Sequence, residues 1–297
     1  GTYGQRKSDL SWTWRPPTNI TVLPEIAPDG LRTLTVIKDK DYEAVVGARG
    51  ALAGWDWDLS TGYGSNVSDW ENYSLNASLG PSSPRHFYIG QLASAEWVNA
   101  LDVTRGFTLE NAGELQVSFG LQHRWENYTI EQGDEASWIQ GDYVRPPGQP
   151  FAGQPLPPGT QSTPGFRPED EADVSRNNYS VYGELGWNPT ERFYLGGAVR
   201  YENFDDSAGD TTIYKISSRY ELNDWAALRA SFNTGFRAPS LAQQAYSATT
   251  SQLRDIRGTG VAESLRLKNF QVNSPEAIAL GAKPLTPEMS ENLSVGF

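Results

Sequence analysis

Along residues 113–126, GELQVSFGLQHRWE, polar and apolar side chains change places at nearly every step. Leu115, Val117, Phe119, Leu121 and Trp125 fall on one side, with Gln116, Ser118, Gln122, Arg124 and Glu126 on the other. A two-residue period predicts a strand with one apolar and one polar face. The pattern returns with Trp55, Trp57, Leu59, Thr61 and Tyr63 against Asp56, Asp58 and Ser60. It returns again with Tyr179, Val181, Leu185 and Trp187 against Ser180, Tyr182 and Glu184, and with Phe193, Leu195, Val199 and Tyr201 against Arg200 and Glu202. Segments 42–52, 94–107, 212–222 and 226–236 are further candidates, and 31–37 adds one more. Helical spacing is confined to short turns at 240–246 and 261–268.

The connections between these strands alternate as well. Ala53–Gly54, the stretch near 108–113, 188–192 and 223–225 are short, whereas 65–93, 129–177, 204–211 and 237–285 are long. The link at 129–177 contains VRPPGQPFAGQPLPPGTQ and far exceeds ordinary loop lengths. Short and long in strict turn gives an up-and-down antiparallel sheet with tight hairpins at one end and large excursions at the other. That asymmetry is the pattern of a transmembrane β-barrel with short periplasmic turns and long extracellular loops.

Parity then assigns the faces. A cationic side chain turned to lipid near the bilayer midplane costs about 2–4 kcal/mol, so the apolar face must be the outer one. Arg49, Arg124, Arg200, Lys215, Arg219, Arg229 and Arg237 all fall on the inner face, as do Glu126, Glu202, Glu221 and Asn233. Matching the apolar faces of 212–222 and 226–236 pairs Leu222 with Ala226 and predicts a three-residue hairpin at 223–225. The recurring triplets Arg124-Trp125-Glu126, Arg200-Tyr201-Glu202 and Arg219-Tyr220-Glu221 are then strand ends seen in cross-section. Their rings, with Trp187, form a lipid-facing aromatic girdle in which Trp125 and Tyr201 end upward strands. Their charges point inward, where they either neutralise one another in a wet lumen or touch a plug or a ligand.

Composition excludes several other functions. The net charge of −12 disfavours nucleic acid as a partner. There is no cysteine, and the two histidines, His86 and His123, lie far apart, so no metal site and no cofactor are expected. Catalytic motifs are lacking, and carboxylate pairs such as Asp56/Asp58 and Asp205/Asp206 arise by chance in an acidic chain. The Asn72 and Asn76 sequons carry little meaning in so Asn- and Ser-rich a sequence. Loop aromatics Trp70, Tyr73, Trp138, Tyr143 and Phe151 either bind a bulky ligand or anchor loops to one another.

The segment FNTGFRAPSLAQQAY, residues 232–246, resembles the G-F-R-A-P-S signature of TonB-dependent outer-membrane receptors, here Gly235, Phe236, Arg237, Ala238, Pro239 and Ser240. The strands YSVYGELGWNPTERFYLGGAVRYENF and TTIYKISSRYELNDWAALRASF before it, and LTPEMSENLSVGF after it, agree in family order. The resemblance covers most of 40–297. It implies a large barrel closed by a separate plug domain, in the outer membrane of a Gram-negative bacterium. It also implies a small-molecule ligand (a metal chelate such as a ferric siderophore, cobalamin or a saccharide) and energy delivered by TonB through the plug. With eight or nine strands, ten if 31–37 is counted, and neither plug nor TonB box, residues 1–297 read as part of one receptor barrel domain. Two alternatives from other classes stay open: a passive porin-like barrel and a soluble carbohydrate-binding β-sandwich.

Overall fold

In the computed structural model, which describes residues 1–254, 258 and 263–297, the alternating segments become one antiparallel sheet. Its strands are β1 (Thr2–Ser11), β2 (Leu34–Leu52), β3 (Trp55–Tyr73), β4 (His86–Leu109), β5 (Gly113–Glu131), β6 (Ala172–Thr190), β7 (Phe193–Phe204), β8 (Asp210–Asn223) and β9 (Ala226–Arg237). After β9 the chain forms helix α1 (Leu241–Ala245), the hairpin of β10 (Ala248–Arg254) and β11 (Glu263–Asn269), and helix α2 (Pro275–Ala279). It then re-enters the sheet as β12 (Glu288–Gly296). The spatial order is β1 through β9 in sequence, then β12, so every neighbour in the ten-stranded sheet is an up-and-down partner. The β-sandwich alternative fails here, because the long strands share one sheet and the only other one among the described residues is the β10–β11 ribbon.

The tight turns follow from local chemistry. Ala53 and Gly54 both take positive φ, 53° and 79°, as a two-residue hairpin of the type favoured by strand twist requires. Between β6 and β7, Asn188 and Pro189 lie in a register shift, where a proline without an N–H does the least damage. The β8–β9 turn differs from expectation. Asn223 pairs with Ala226 across a two-residue turn, and a register shift between Glu221 and Asn223 takes up the odd residue. The inferred facing survives, with Tyr220 opposite Leu228 and Arg219 opposite Arg229.

Other boundaries move too. The segment 31–37 is not a strand of its own, since β2 already begins at Leu34. The tenth strand is β1, whose polar sequence TYGQRKSDLS shows no alternation and is held by pairing with β2, including an Arg6–Asp39 ion pair at 2.6 Å. The turn of helix expected at 261–268 is strand β11 from Glu263 onward, and 261–262 lie outside the described residues. The 204–211 link shrinks to the five residues between Phe204 and Asp210. Strands β3, β4, β5 and β6 run well into segments read as loops, and β4 reaches 24 residues, about twice the 9–11 needed to cross a bilayer.

The buried apolar residues lie in and beneath the loops. One cluster joins Val22, Leu23, Ala27 and Leu31 of the β1–β2 loop to Leu75 and Ala77 of the β3–β4 loop and Leu156 of the β5–β6 loop. A second joins Tyr128 and Ile130 of β5 to Phe166, Leu241 and Ala245. Midway along the sheet, by contrast, Leu59, Leu121 and Val181 stay about half exposed.

Candidate functional site

Register fixes where each strand residue points. Leu59, Leu101, Leu121, Val181 and Tyr201 pair in a row across β3 to β7 on one face. Asp102, Gly120, Tyr182 and Arg200 pair in a row on the other. The second face is the one over which the loops fold. A cavity of about 890 Å³ is lined there by Asp41, Glu43, Glu96 and Glu126 of the sheet and by Leu241 and Ala242 of α1. Gly120 makes room on this wall: a Cβ there would come within 2.3 Å of the Tyr182 ring. With none there, Tyr182 lies across the strands and its hydroxyl donates to Asp102 Oδ1 at 2.5 Å.

The first face carries rings at two heights. Tyr63, Trp97 and Trp125 pair in one upper row. Lower down, Trp55 meets Phe107 edge-on at 6.0 Å, Trp187 pairs with Leu195, and Tyr220 meets Phe193 at 6.2 Å. The ten-residue step from Trp97 to Phe107 within β4 is about 34 Å along an antiparallel strand and about 24 Å in height at 45° tilt. Trp125 does not end its strand as expected, since β5 continues to Glu131. Beside it, His123 stacks on Tyr179 at 4.8 Å with Nε2 3.1 Å from Asn177 Oδ1, a purely lateral set of contacts.

Arg124, Glu126, Arg200, Glu202, Lys215, Arg219, Glu221, Arg229, Asn233 and Arg237 share the loop-covered face by register. They do not converge on one site. Arg200 Nε donates to Glu202 at 2.6 Å and its Nη2 to Gln122 and Ser180. Arg219 and Glu221 pair at 2.7 Å, whereas Arg124 and Glu126 stand 3.8 Å apart. Arg237 is mostly exposed and, among the described residues, reaches only Glu288, at 3.8 Å.

The group that does converge includes Arg176, which the sequence did not single out, and Asp206, which it offered only as half of a chance carboxylate pair. Arg176 is almost fully buried. Its Nε donates to Glu126 at 2.6 Å, and its Nη1 donates to Asp206 at 3.2 Å and to the Pro239 carbonyl at 2.7 Å. Gln244 Nε2 also donates to Asp206, at 2.8 Å. One guanidinium therefore ties β5, β6, the β7–β8 turn and the start of α1 into a clasp. Burial pushes the Asp206 carboxyl up, but hydrogen bonds from Gln244, the Ala208 N–H and Arg176, with the Arg176 charge, hold it below the usual carboxylate range. Arg176 sits at inner parity in a stretch read as loop, and carrying the alternation one pair above Asn178 would have found it.

The clasp gives the 235–240 segment a structural account. Phe236 packs edge-on against Phe204 at 6.1 Å, and Pro239 supplies the captured carbonyl. Ser240 caps α1, accepting from Gln243 N while its own N–H donates to Gln243 Oε1. Half-buried Ala238 joins the two.

The cap above the sheet is stapled by buried polar groups. Arg145 donates to the carbonyls of Pro150, Asn19, Ile20 and Val22, and burial pushes its guanidinium pKa down. Asn72 donates to Gln161 O and Thr163 O, and Asn76 to Ala136 O and Ile139 O, so both sequon asparagines are consumed inside the cap. The loop aromatics anchor neighbours. Tyr143 packs on the apolar cluster, Trp138 lies under Arg167, Phe151 lies under Arg145, Tyr73 stacks on His86 and Trp70 donates to Ser68. Among the described residues no group of three or more Asp, Glu or His is placed to hold a metal ion.

A family model described as TonB dependent receptor-like, beta-barrel, matches residues 2–297. Of solved structures, the siderophore receptor PirA from Acinetobacter baumannii is similar over 100% of this chain and 41% of its own, at 14% identity and a TM-score of 0.53. The RagAB peptide transporter is similar over 89% of this chain and 28% of its own, at 8% identity and a TM-score of 0.50. At such identities the likeness is one of fold, and the chain spans well under half the length of either. No curated protein sequence matches.

Proposed function

We propose, from the premise that this chain belongs to the TonB dependent receptor-like β-barrel family, that its ten strands are part of the wall of an outer-membrane importer in a Gram-negative bacterium. The nutrient is a scarce one, a ferric siderophore or similar metal chelate ahead of cobalamin or a saccharide, and uptake draws energy from TonB through a plug domain. No nucleic acid is involved. The observation that carries this reading is the two-faced sheet. Its apolar side has rings about 24 Å apart in height, the thickness of the apolar band on such barrels, and its charged side lies under the loops.

In this reading residues 1–297 are one stretch of a single barrel domain. The edges β1 and β12 pair with further strands, because unpaired strand edges are not tolerated in lipid. The test is uptake of radioactive iron, supplied as a panel of ferric siderophores, by cells that carry or lack the intact gene. Uptake that needs both this gene and TonB is expected. Gene-dependent uptake indifferent to TonB would replace active import with a passive pore, and a protein soluble without detergent would end the membrane reading.

A further inference from the structure

Among the described residues, one buried polar side chain on the wall has no partner for either of its polar atoms. Asn178 on β6 is only 1% exposed, and neither its Oδ1 nor its Nδ2 has a hydrogen bond. Directly opposite on β5 stands Arg124, whose Nε is likewise buried and unpartnered. Arg124 is unlike the other arginines around it. Arg176 makes three hydrogen bonds, to Glu126, Asp206 and Pro239, and Arg200 three, to Glu202, Gln122 and Ser180. Arg124 has Glu126 only at 3.8 Å, beyond hydrogen-bond reach, and its guanidinium stands 6.0 Å from the centre of the Phe204 ring. Its side chain remains 29% exposed on the loop-covered face, so this residue offers the way in. A buried amide and a fork of free donors on adjacent strands are an arrangement that native proteins satisfy with water, an ion or a ligand.

We propose that Arg124 and Asn178 form a subsite for one carboxylate group of a solute. A carboxylate has two oxygens in a plane, which suits one to the guanidinium fork and one to the Asn178 Nδ2. A cation is repelled by Arg124. A phosphate brings a second negative charge toward Glu126 and Glu202, which flank the pair on the same face, so the single charge of a carboxylate fits better. The inference rests on the import reading only in taking this face as the lumen wall.

The test is calorimetric titration of the intact receptor in detergent with citrate, beside inorganic phosphate and the neutral triethyl ester of citrate. Citrate is expected to bind more tightly than either comparator. Arg124→Ala and Asn178→Leu are each expected to weaken it at least ten-fold, while Arg32→Ala, at an exposed loop position, leaves it unchanged. Equal citrate affinity in the parent and in either site variant overturns the proposal, as does ester or phosphate binding as tight as citrate. It is equally overturned by a high-resolution structure grown in citrate that shows only water, or a carboxylate of the protein itself, on the Asn178 amide. If Asn178→Leu loses heat-modifiable mobility, Asn178→Asp replaces it. That variant keeps the shape but adds a negative charge and must abolish citrate binding; retained binding overturns the proposal. Binding in detergent is read apart from uptake, so failure here and failure of the import reading are told apart.

Discussion

The lower and upper halves of β5 are one unbroken strand with opposite habits. Below Trp125 the apolar residues are Leu115, Val117, Phe119 and Leu121, turned away from the loops, the first two half-buried and the last two exposed. Above it they are Tyr128 and Ile130, turned the other way and buried with Phe166 and Leu241. Strands β4 and β6 do the same, with Phe87 and Ile89, and Ala172 and Val174, on the loop side at their upper ends. Along β5 the pairing with both neighbours is unbroken, so on the membrane reading what changes is the solvent. Where lipid lies outside, apolar side chains face out and the protein needs no core. Where water lies on both sides, they turn in and make one with the loops.

The largest break in this comparison is expected from moving one charge between faces. Leu121→Arg puts a cation on the apolar side at mid-height and costs about 2–4 kcal/mol. Gln116→Arg, at an exposed position on the polar side of the same strand opposite Gly106 and Gly186, is tolerated. The yield of heat-modifiable barrel after refolding into detergent separates them, and equal yields would dissolve the two-solvent account. Next is Arg145→Ala, which takes a donor from four cap carbonyls, that of buried Val22 among them, and costs about 1–3 kcal/mol. Because Arg145 belongs to the cap, faster amide exchange should appear in loops 12–33 and 132–171 while the strands below Trp125 stay protected.

A smaller effect is expected from acid. The Asp206 carboxyl lies below its unfolded value, so its contribution to the clasp is complete above the ordinary aspartate range, about pH 3.9, and is lost as pH falls through the depressed value. Proteolytic nicking after Pro239 should therefore rise only in that acid window, and Asp206→Asn should show it already at neutral pH. The smallest effect is Ala53→Gly. It removes a side chain from a left-handed turn residue and should stabilise the hairpin by about 1 kcal/mol or less, seen as a small rise in unfolding temperature.

The same contrast explains what the sequence revealed. From Leu115 to Trp125 the alternation was legible because lipid and lumen impose opposite demands on neighbouring residues. At Glu126 to Tyr128 the phase slips, which reads as a strand end and in fact marks a change of surroundings, so alternation alone cuts β5 short and puts Arg176 in a loop. Strand β1 left no trace because polar residues fill both of its faces. The wall residues were legible singly, from parity, but their grouping was not. Arg200 and Glu202 are two apart in sequence, whereas Arg176, Asp206 and Pro239 are 30 to 63 apart and meet only through the fold.

The register shifts beside the β6–β7 and β8–β9 turns have a consequence for how such a chain can vary over generations. Facing is set by odd and even count, so inserting a single residue in mid-strand would turn every following side chain about and carry arginines into the lipid. At these two hairpins the count is already off by one, and the sheet absorbs it within a few residues of the turn. Those are the places where gene copies can gain or lose one codon and still return a wall with its inside facing in.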